Sequence, residues 1–468
     1  MGCNGLLFTI SILSAAATGD AQAAERPNVV MILADDQAYT DFGFMGNDLV
    51  QTPHIDRLAE QSARYVNGYV PSSVCRPSLA TLLTGLYPHE HGIHFNHPPP
   101  GNSRLNRMTS ADYYAARAEA ERLFAESPRL PELLTRCGYD SLQTGKFWEG
   151  HYGNGGFAKG MTTGRAAGVP GCWDKTLSDG VTVAHGNGDI GLIIGRSTMD
   201  PIPDFLDDHA RPDSAPFLLW YAPVLPHEPH NAPQKYVDLY EGNAKVPRQF
   251  VRYYANCTWF DDTIGSLMEM LKQRGLMSNT LFVFVSDNGW TPSKGEHKTY
   301  PGFHVDKRSK RSPFERGLRT PILFRWDGHI KPATHEQPCS SVDILPTILS
   351  AVGMAGAAGD MSGIDLMPSA RGETALDAER PVFGEVYPGD ASSLRHPERD
   401  VAYRWVRRGP WKLIVPHGRD PWGGYLEKSA LYHVVDDPEE QTNLIGSPEQ
   451  SQLVAELRAV LDRWWQVP

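Results

Sequence analysis

Two apolar runs of the chain end in oxygen ligands. Asn28 to Ala34 (NVVMILA) leads into Asp35 and Asp36, and Thr280 to Val285 (TLFVFV) leads into Ser286, Asp287 and Asn288. Taken alone, either group reads as a helix cap or a turn. Taken together, Asp35, Asp36, Asp287 and Asn288 offer only oxygen atoms, with no imidazole or thiolate among them. Such a set suits a hard cation, and calcium tolerates flexible carboxylate and amide ligation better than magnesium does. Carboxylates crowded in one place also repel one another, so a divalent ion there has an electrostatic reason. A further candidate is Cys75, in Ser72-Ser73-Val74-Cys75-Arg76-Pro77-Ser78. Pro77 fits the first turn of a helix and the serines before it are natural caps, which puts the thiol at a helix N-terminus, where the dipole stabilises negative charge. By itself Cys75 reads more readily as a small buried side chain. The basic run Lys307, Arg308, Lys310, Arg311 is either a solvated loop or a cationic wall for an anionic substrate.

These residues need elements to position them. The apolar runs are continuous rather than alternating, as in strands buried on both faces, and Phe217 to Ala222 is a third run of the same kind. Amphipathic helical stretches, Ile55 to Ala63, Pro77 to Thr84 and Tyr254 to Arg274, alternate with them. The expected fold is therefore α/β, a large mixed, mostly parallel sheet sandwiched by helices, with ligands gathered at the carboxyl ends of the strands. From about Pro381 the texture changes to short strand-like pieces, Val382 to Val386, Ala402 to Arg407 and Trp411 to Val415, followed by a helix at Gln450 to Trp465. This predicts a smaller C-terminal α+β subdomain, an antiparallel sheet plus a terminal helix. Ala355 to Asp360 and Arg371 to Ala378 read as loops. The expected division is residues 1–23 as a signal peptide, 24–375 as the catalytic domain and 376–468 as the subdomain.

Composition narrows the function. The formal net charge of -11 argues against a nucleic-acid binder, which needs clustered Lys and Arg to neutralise phosphates. The apolar stretch from Gly5 to Ala17, followed by Ala21-Gln22-Ala23, reads as a secretory signal with its cleavage site. That implies a periplasmic or extracellular protein, and no later stretch approaches the roughly 20 apolar residues of a membrane span. Apart from Cys3 and Cys75, the cysteines Cys137, Cys172, Cys257 and Cys339 are free to pair in an oxidising compartment, in a connectivity the sequence leaves open.

The stretch Cys75-x-Pro77-Ser78 followed by Leu83-Thr84-Gly85 resembles the signature of the formylglycine-dependent sulfatases, members of the alkaline phosphatase superfamily. The resemblance runs along nearly the whole mature chain in family order. It takes in PNVVMILADDQ from Pro27, TPHIDRLA at Thr52 to Ala59, TGK at Thr144 to Lys146, PHEP at Pro226 to Pro229 and VSDNG at Val285 to Gly289. It continues with FERGLRTP at Phe314 to Pro321, DILPT at Asp343 to Thr347 and LYHVVDDPEEQTNL at Leu431 to Leu444.

The resemblance implies that a maturation enzyme oxidises Cys75 to formylglycine, whose hydrate attacks sulfur, and that Asp35, Asp36, Asp287 and Asn288 hold Ca2+. It also implies that Lys146 and Lys310 counter the charge of the sulfate group and the leaving oxygen, and that His227 protonates the leaving alkoxide. The expected substrate is a sulfated carbohydrate or another sulfate ester. The alternatives are a phosphodiesterase or phosphonate monoester hydrolase of the same fold, and a pseudoenzyme that binds sulfated glycan without turnover.

Two departures stand out. Leu79 occupies the place where the family usually has arginine, four residues after the nucleophile, with Arg76 or a residue from elsewhere as possible substitutes. Trp148 stands where the family often has a second histidine, for which His151, His94 and His297 are candidates. Trp148 itself reads as a platform for a sugar ring or as a core residue.

Overall fold

The computed structural model describes residues 26–164, 175–183, 190–290, 308–359, 361–388, 391–418 and 425–467. The expected signal peptide, Cys3, Cys172, His297 and Lys307 lie outside them. Among the described residues no helix is long and apolar enough to cross a membrane.

The main sheet has nine strands. They are β1 (Asn28–Ala34), β2 (Ala63–Tyr69), β3 (Asp140–Gly145) and β4 (Lys159–Gly160), then, beyond a small separate ribbon of β5 (Lys175–Thr176) and β6 (Thr182–Val183), β7 (Phe217–Ala222), β8 (Thr280–Ser286), β9 (Arg319–Arg325), β10 (Ala333–His335) and β11 (Cys339–Ser340). Their order is β10-β2-β9-β8-β1-β7-β3-β4, with β11 beside β2. Strand β9 runs antiparallel to both its neighbours, and every other pairing is parallel. This is the mixed, mostly parallel sheet expected, and the three continuous apolar runs are its adjacent central strands β8, β1 and β7.

Period-two alternation explains why those strands are apolar throughout. Val29, Met31 and Leu33 enter one layer with Leu82, Leu83 and Ile348. Val30, Ile32 and Ala34 enter the other with Ile55, Leu58, Phe260, Ile264 and Leu267. Both faces are covered by helices, so no polar face is needed. On the second face lie α1 (Pro53–Glu60) and the long helix Arg248–Gln273, and on the first lies α2 (Cys75–Thr84). The expected helix from Ile55 to Ala63 stops at Glu60, because Ala63 already pairs with β9 and β10 as the first residue of β2. The long helix starts six residues before the expected Tyr254, at Arg248 just after Pro247.

The C-terminal region forms an antiparallel sheet of β12 (Val382–Val386), β13 (Tyr403–Arg408), β14 (Trp411–Pro416) and β15 (Ala430–His433). Leu457 and Leu461 of the terminal helix Ser451–Trp464 pack on Val406, Leu413, Val415 and Leu431. Strand β15 begins just ahead of the LYHVVDDPEEQTNL motif and was not read as a strand from its residues. A buried ionic knot joins this sheet to the main body: Lys412 Nζ on β14 lies 3.0 Å from Glu315 Oε1 and 3.0 Å from Glu440 Oε1.

Cys75, Cys137, Cys257 and Cys339 are free thiols. The sequence left open whether any of Cys137, Cys257 and Cys339 pair, and no pair forms among them. Cys257 is buried with Tyr253 and Trp290 while Cys339 belongs to the main core, so the two belong to separate clusters.

Candidate active site

Four neighbouring strands deliver the polar residues to one edge of the sheet. Lys146 follows β3, His227 lies on the loop after β7, Asp35 and Asp36 follow β1, and Asp287 and Asn288 follow β8. Ala34 is in register with Ser286, which sets Asp35 beside Asp287. Asp35 N–H donates to Leu225 O (2.9 Å), drawing the loop of His227 alongside. Asp36 adopts a left-handed backbone (φ 62), and its N–H donates to Asp287 Oδ1 at 3.0 Å. Gly145, at φ 77, is the residue before Lys146, and a Cβ there would stand 2.0 Å from Ala222 O. Only glycine lets β3 pass that close to β7.

Cys75 is the first residue of α2 and is fully buried. The serines before it do not cap the helix. Val74 is the N-cap, and Ser73 Oγ donates to Ser312 O (2.8 Å) instead. The cap comes from a distant loop: Asn96 Oδ1 accepts Arg76 N–H at 3.0 Å. Lys310 Nζ lies 2.9 Å from Cys75 Sγ and 2.5 Å from Asp36 Oδ1. Lys146 Nζ lies 2.5 Å from Asp35 Oδ1 and 3.6 Å from Asp287 Oδ2. His227 Nδ1 donates to Glu228 O (2.7 Å), which leaves Nε2 facing Asp36 Oδ2 at 3.6 Å. Cys75, His227, Lys146, Lys310, Asp35, Asp36, Asp287 and Asn288 thus meet at one place. Of the basic run, Lys310 enters the site, while Arg308 donates to the carbonyls of Glu439 and Glu440 and Arg311 N–H donates to Ser73 O.

The electrostatics follow from burying five charges together. Burial pushes the carboxyls of Asp35 and Asp287 upward against the pull of Lys146; Asp36 raises both further, and Asp35 adds to the rise of Asp287. Burial acts upward on Asp36 as well, but Lys310, His227 and Lys146 outweigh it and hold that carboxyl far below its usual range. Burial pushes the Cys75 thiol up to about 12 in spite of both lysines. At neutral pH the sulfur is therefore a protonated thiol, a poor nucleophile. Burial also brings the His227 imidazole down to about 3.

The chain matches the sulfatase family over residues 27–354. The chain belongs to that family. Residues 295–466 also match the C-terminal region of N-sulphoglucosamine sulphohydrolase. Human arylsulfatase A is 29% identical over 96% of this chain and 90% of its own length. The ulvan-active sulfatase of Formosa agariphila is 27% identical over 94% of this chain and 81% of its own. Among solved structures, Ps i-CgsB superposes with a TM-score of 0.70 at 24% identity, covering 95% of this chain and 94% of that one. The protein is accordingly a sulfuric ester hydrolase.

A cation fits this sulfatase's acidic cluster. Asp35, Asp36, Cys75 and Asp287 bring ligand atoms within 4.8 Å of one another. Asp35 Oδ2, Asp287 Oδ2 and Asn288 Oδ1 are buried with no hydrogen-bond partner, and buried oxygens of this kind call for one. A divalent ion would both satisfy them and relieve the mutual repulsion of Asp35 and Asp287.

The departures from the family pattern resolve as follows. Leu79, 5% exposed, lies in the main core. Arg76 does not replace the missing arginine at the nucleophile. Its guanidinium makes a buried bidentate pair with Glu149 (2.9 and 2.6 Å) and a bond to Ala120 O. Trp148 is a core residue, 2% exposed, perpendicular to the ring of His97 and with the Arg117 guanidinium over its own ring, so it offers no open face to a sugar. His94 is tied to Asp400 (2.9 Å), and exposed His151 accepts Gly153 N–H, so neither reaches the cluster. The residue-by-residue reading missed His230, one place beyond the PHEP motif. Its Nε2 is buried without a partner and its ring stands against Tyr253 at 5.6 Å, within electrostatic range of His227 and Asp36. The second histidine in PHEPH was its signal. Asn96 and Glu149 carried no signal, since their roles depend on contacts across the fold.

Proposed function

We propose that this sulfatase hydrolyses sulfate esters of a sulfated carbohydrate, outside the cytoplasm, through a formylglycine made from Cys75, with calcium held by Asp35, Asp36, Asp287 and Asn288. The observation that carries the reading is the placement of Cys75 Sγ. It stands at a helix N-terminus, 2.9 Å from Lys310 Nζ and 3.7 Å from Asp36 Oδ1, yet as a thiol pushed up to about 12 it is unsuited to attack. Conversion to an aldehyde turns the same position into a source of hydroxyl groups. One hydroxyl of the hydrate attacks sulfur as the sugar oxygen departs, and the other gives up its proton so that the carbon–oxygen bond breaks and sulfate leaves. A serine at that place has no second hydroxyl to drive the release. Carbohydrate as substrate class is supported by the ulvan-active relative and by the match to N-sulphoglucosamine sulphohydrolase. Secretion is supported by the apolar N-terminal segment with its Ala21-Gln22-Ala23 site.

The ion, when bound, supplies positive charge for a sulfate oxygen. Lys310, between Asp36 and the reacting atom, stabilises charge on the sulfuryl group, and Lys146 does so from the side of Asp35. Nε2 of His227 faces this space and gives the leaving alkoxide its proton, which a sugar oxygen of high pKa requires. A sulfate anion entering the site adds negative charge beside His227 and favours its protonated form.

The test is mass spectrometry of the peptide spanning Cys75 after expression with the host's maturation machinery, joined to sulfate release from a panel of sulfated sugars. An aldehyde at position 75 and activity lost in Cys75→Ala are expected. An unmodified thiol in fully active enzyme would refute the mechanism. Faster turnover of phosphate diesters or phosphonates than of any sulfate ester would favour the alternative hydrolase reading.

A further inference from the structure

The loop that carries His227 is short of donors. Pro223, Pro226, Pro229 and Pro233 all fall within it, and proline has no N–H, so carbonyl groups outnumber amide hydrogens along residues 223–233. Such a segment cannot hold its shape with backbone hydrogen bonds alone. Two side chains from other parts of the chain supply the donors.

Asn256, fully buried on the helix Arg248–Gln273, places Nδ2 3.2 Å from Pro226 O, 3.4 Å from His227 O and 3.2 Å from Pro229 O. Its Oδ1 accepts Ala232 N–H at 3.0 Å, so the amide spans the loop from one end to the other. Arg196 approaches from the segment after β6. Its Nε donates to Val224 O (2.8 Å), Nη2 to His227 O (2.8 Å) and Nη1 to Asn231 Oδ1 (2.7 Å). The guanidinium lies over the ring of Trp259 at 5.4 Å, one helical turn beyond Asn256. One face of a single helix therefore holds Asn256 directly and Arg196 by stacking, and both converge on the carbonyl of His227.

We infer that Asn256 and Arg196 are positioning residues for His227, fixing its backbone so that Nε2 meets the oxygen of the departing sugar. The inference rests on the reading of His227 as proton donor. The backbone carbonyl of His227 is held by two donors, and its Nδ1 is held by Glu228 O, so little rotational freedom remains for the ring. The hydrogen bonds named for both side chains run to the His227 loop. Their loss removes an aim, leaving the charges of the site in place, and a misplacement of about 1 Å is enough to cost on the order of a hundredfold in rate.

The leaving group separates this role from plain structural support. A sugar alkoxide needs a proton as it leaves, whereas nitrophenolate departs readily without one. Arg196→Met, Arg196→Lys and Asn256→Leu would be compared with His227→Asn on a sugar sulfate and on 4-nitrophenyl sulfate. Each rate would be normalised to formylglycine content, with melting curves recorded for every variant. Arg196→Met and Asn256→Leu should lose roughly 10- to 100-fold on the sugar sulfate and only about threefold or less on the nitrophenyl ester, following His227→Asn in direction. Arg196→Lys, which keeps one donor, should lie between wild type and Arg196→Met. Equal losses on both substrates, or no loss on either, in variants whose melting matches wild type would overturn the inference. If His227→Asn itself fails to discriminate between the substrates, the proton-donor reading is what fails. Should Asn256→Leu not fold, the half-buried Arg196 pair decides the matter alone.

Discussion

Replacing Lys310 by methionine keeps most of the length of the side chain and removes its charge from a place where the effect of the charge can be worked out. Nζ lies 2.9 Å from the reacting atom of residue 75. At about 3 Å and an effective dielectric near 20, two full charges interact by about 5 to 6 kcal/mol, so roughly half a charge developing in the transition state is worth about 3 kcal/mol. That corresponds to a loss of about a hundredfold in kcat, within the roughly 10²–10³ lost when a comparable preorganised donor is removed. Lys310→Met also takes the 2.5 Å partner from Asp36, which retains Asn288 Nδ2 at 2.6 Å. Breaking a buried pair costs about 3–5 kcal/mol when nothing else compensates the remaining charge, so the melting temperature should fall more without calcium than with it. The assay is steady-state sulfate release with formylglycine content measured in the same preparation, because a change beside residue 75 can also alter its maturation. A kcat within about fivefold of wild type at equal formylglycine content would refute the role of Lys310 in offsetting charge.

Three further outcomes follow from the same geometry. Chelation should abolish activity and calcium should restore it. Because the carboxyls of Asp35 and Asp287 are raised in the ion-free site, that form loses their stabilising contribution as pH rises, and the difference in melting temperature with and without calcium should widen from about pH 5.5 to about pH 8. Burial pushes Asp41, which accepts a bond from Tyr253 (2.9 Å), up to about 6. Its contribution is present below the ordinary carboxylate value and is lost as pH rises through about 6, so Asp41→Asn should gain on wild type by roughly 1–3 kcal/mol between about pH 5 and pH 7.5 in denaturant melts. A difference independent of pH would contradict this. Glu149→Ala leaves the Arg76 guanidinium buried without its carboxylate and should destabilise the fold by about 3–5 kcal/mol, while Glu149 and Arg76 replaced together should cost less than the sum of the two single changes.

What the sequence disclosed and what it withheld divide along a physical line. Strands β1, β7 and β8 were legible because burial on both faces leaves an unbroken apolar run, and the proposed metal ligands were legible because they follow such runs directly. Cys75, Lys146 and His227 emerged from motifs of contiguous residues, and Lys310 from a basic run and the family resemblance. The withheld features are pairings between distant segments: Asn96 capping α2, Asn256 and Arg196 holding the His227 loop, and Glu149 reaching Arg76. Leu79 shows the limit most clearly. Its departure from the family pattern is plain in one line of sequence, and Arg76 is the obvious cation to take the missing place. Which way Arg76 turns is decided by Glu149, 73 residues along the chain, and by the ring of Phe95 beneath the guanidinium at 5.2 Å. With Arg76 so committed, the positive charge acting on residue 75 comes from Lys146 and Lys310. On the proposed mechanism the two lysines and the helix N-terminus then carry a task for which the family pattern also supplies an arginine. Loss of either lysine should for that reason be felt more in this sulfatase than in a relative that keeps the arginine.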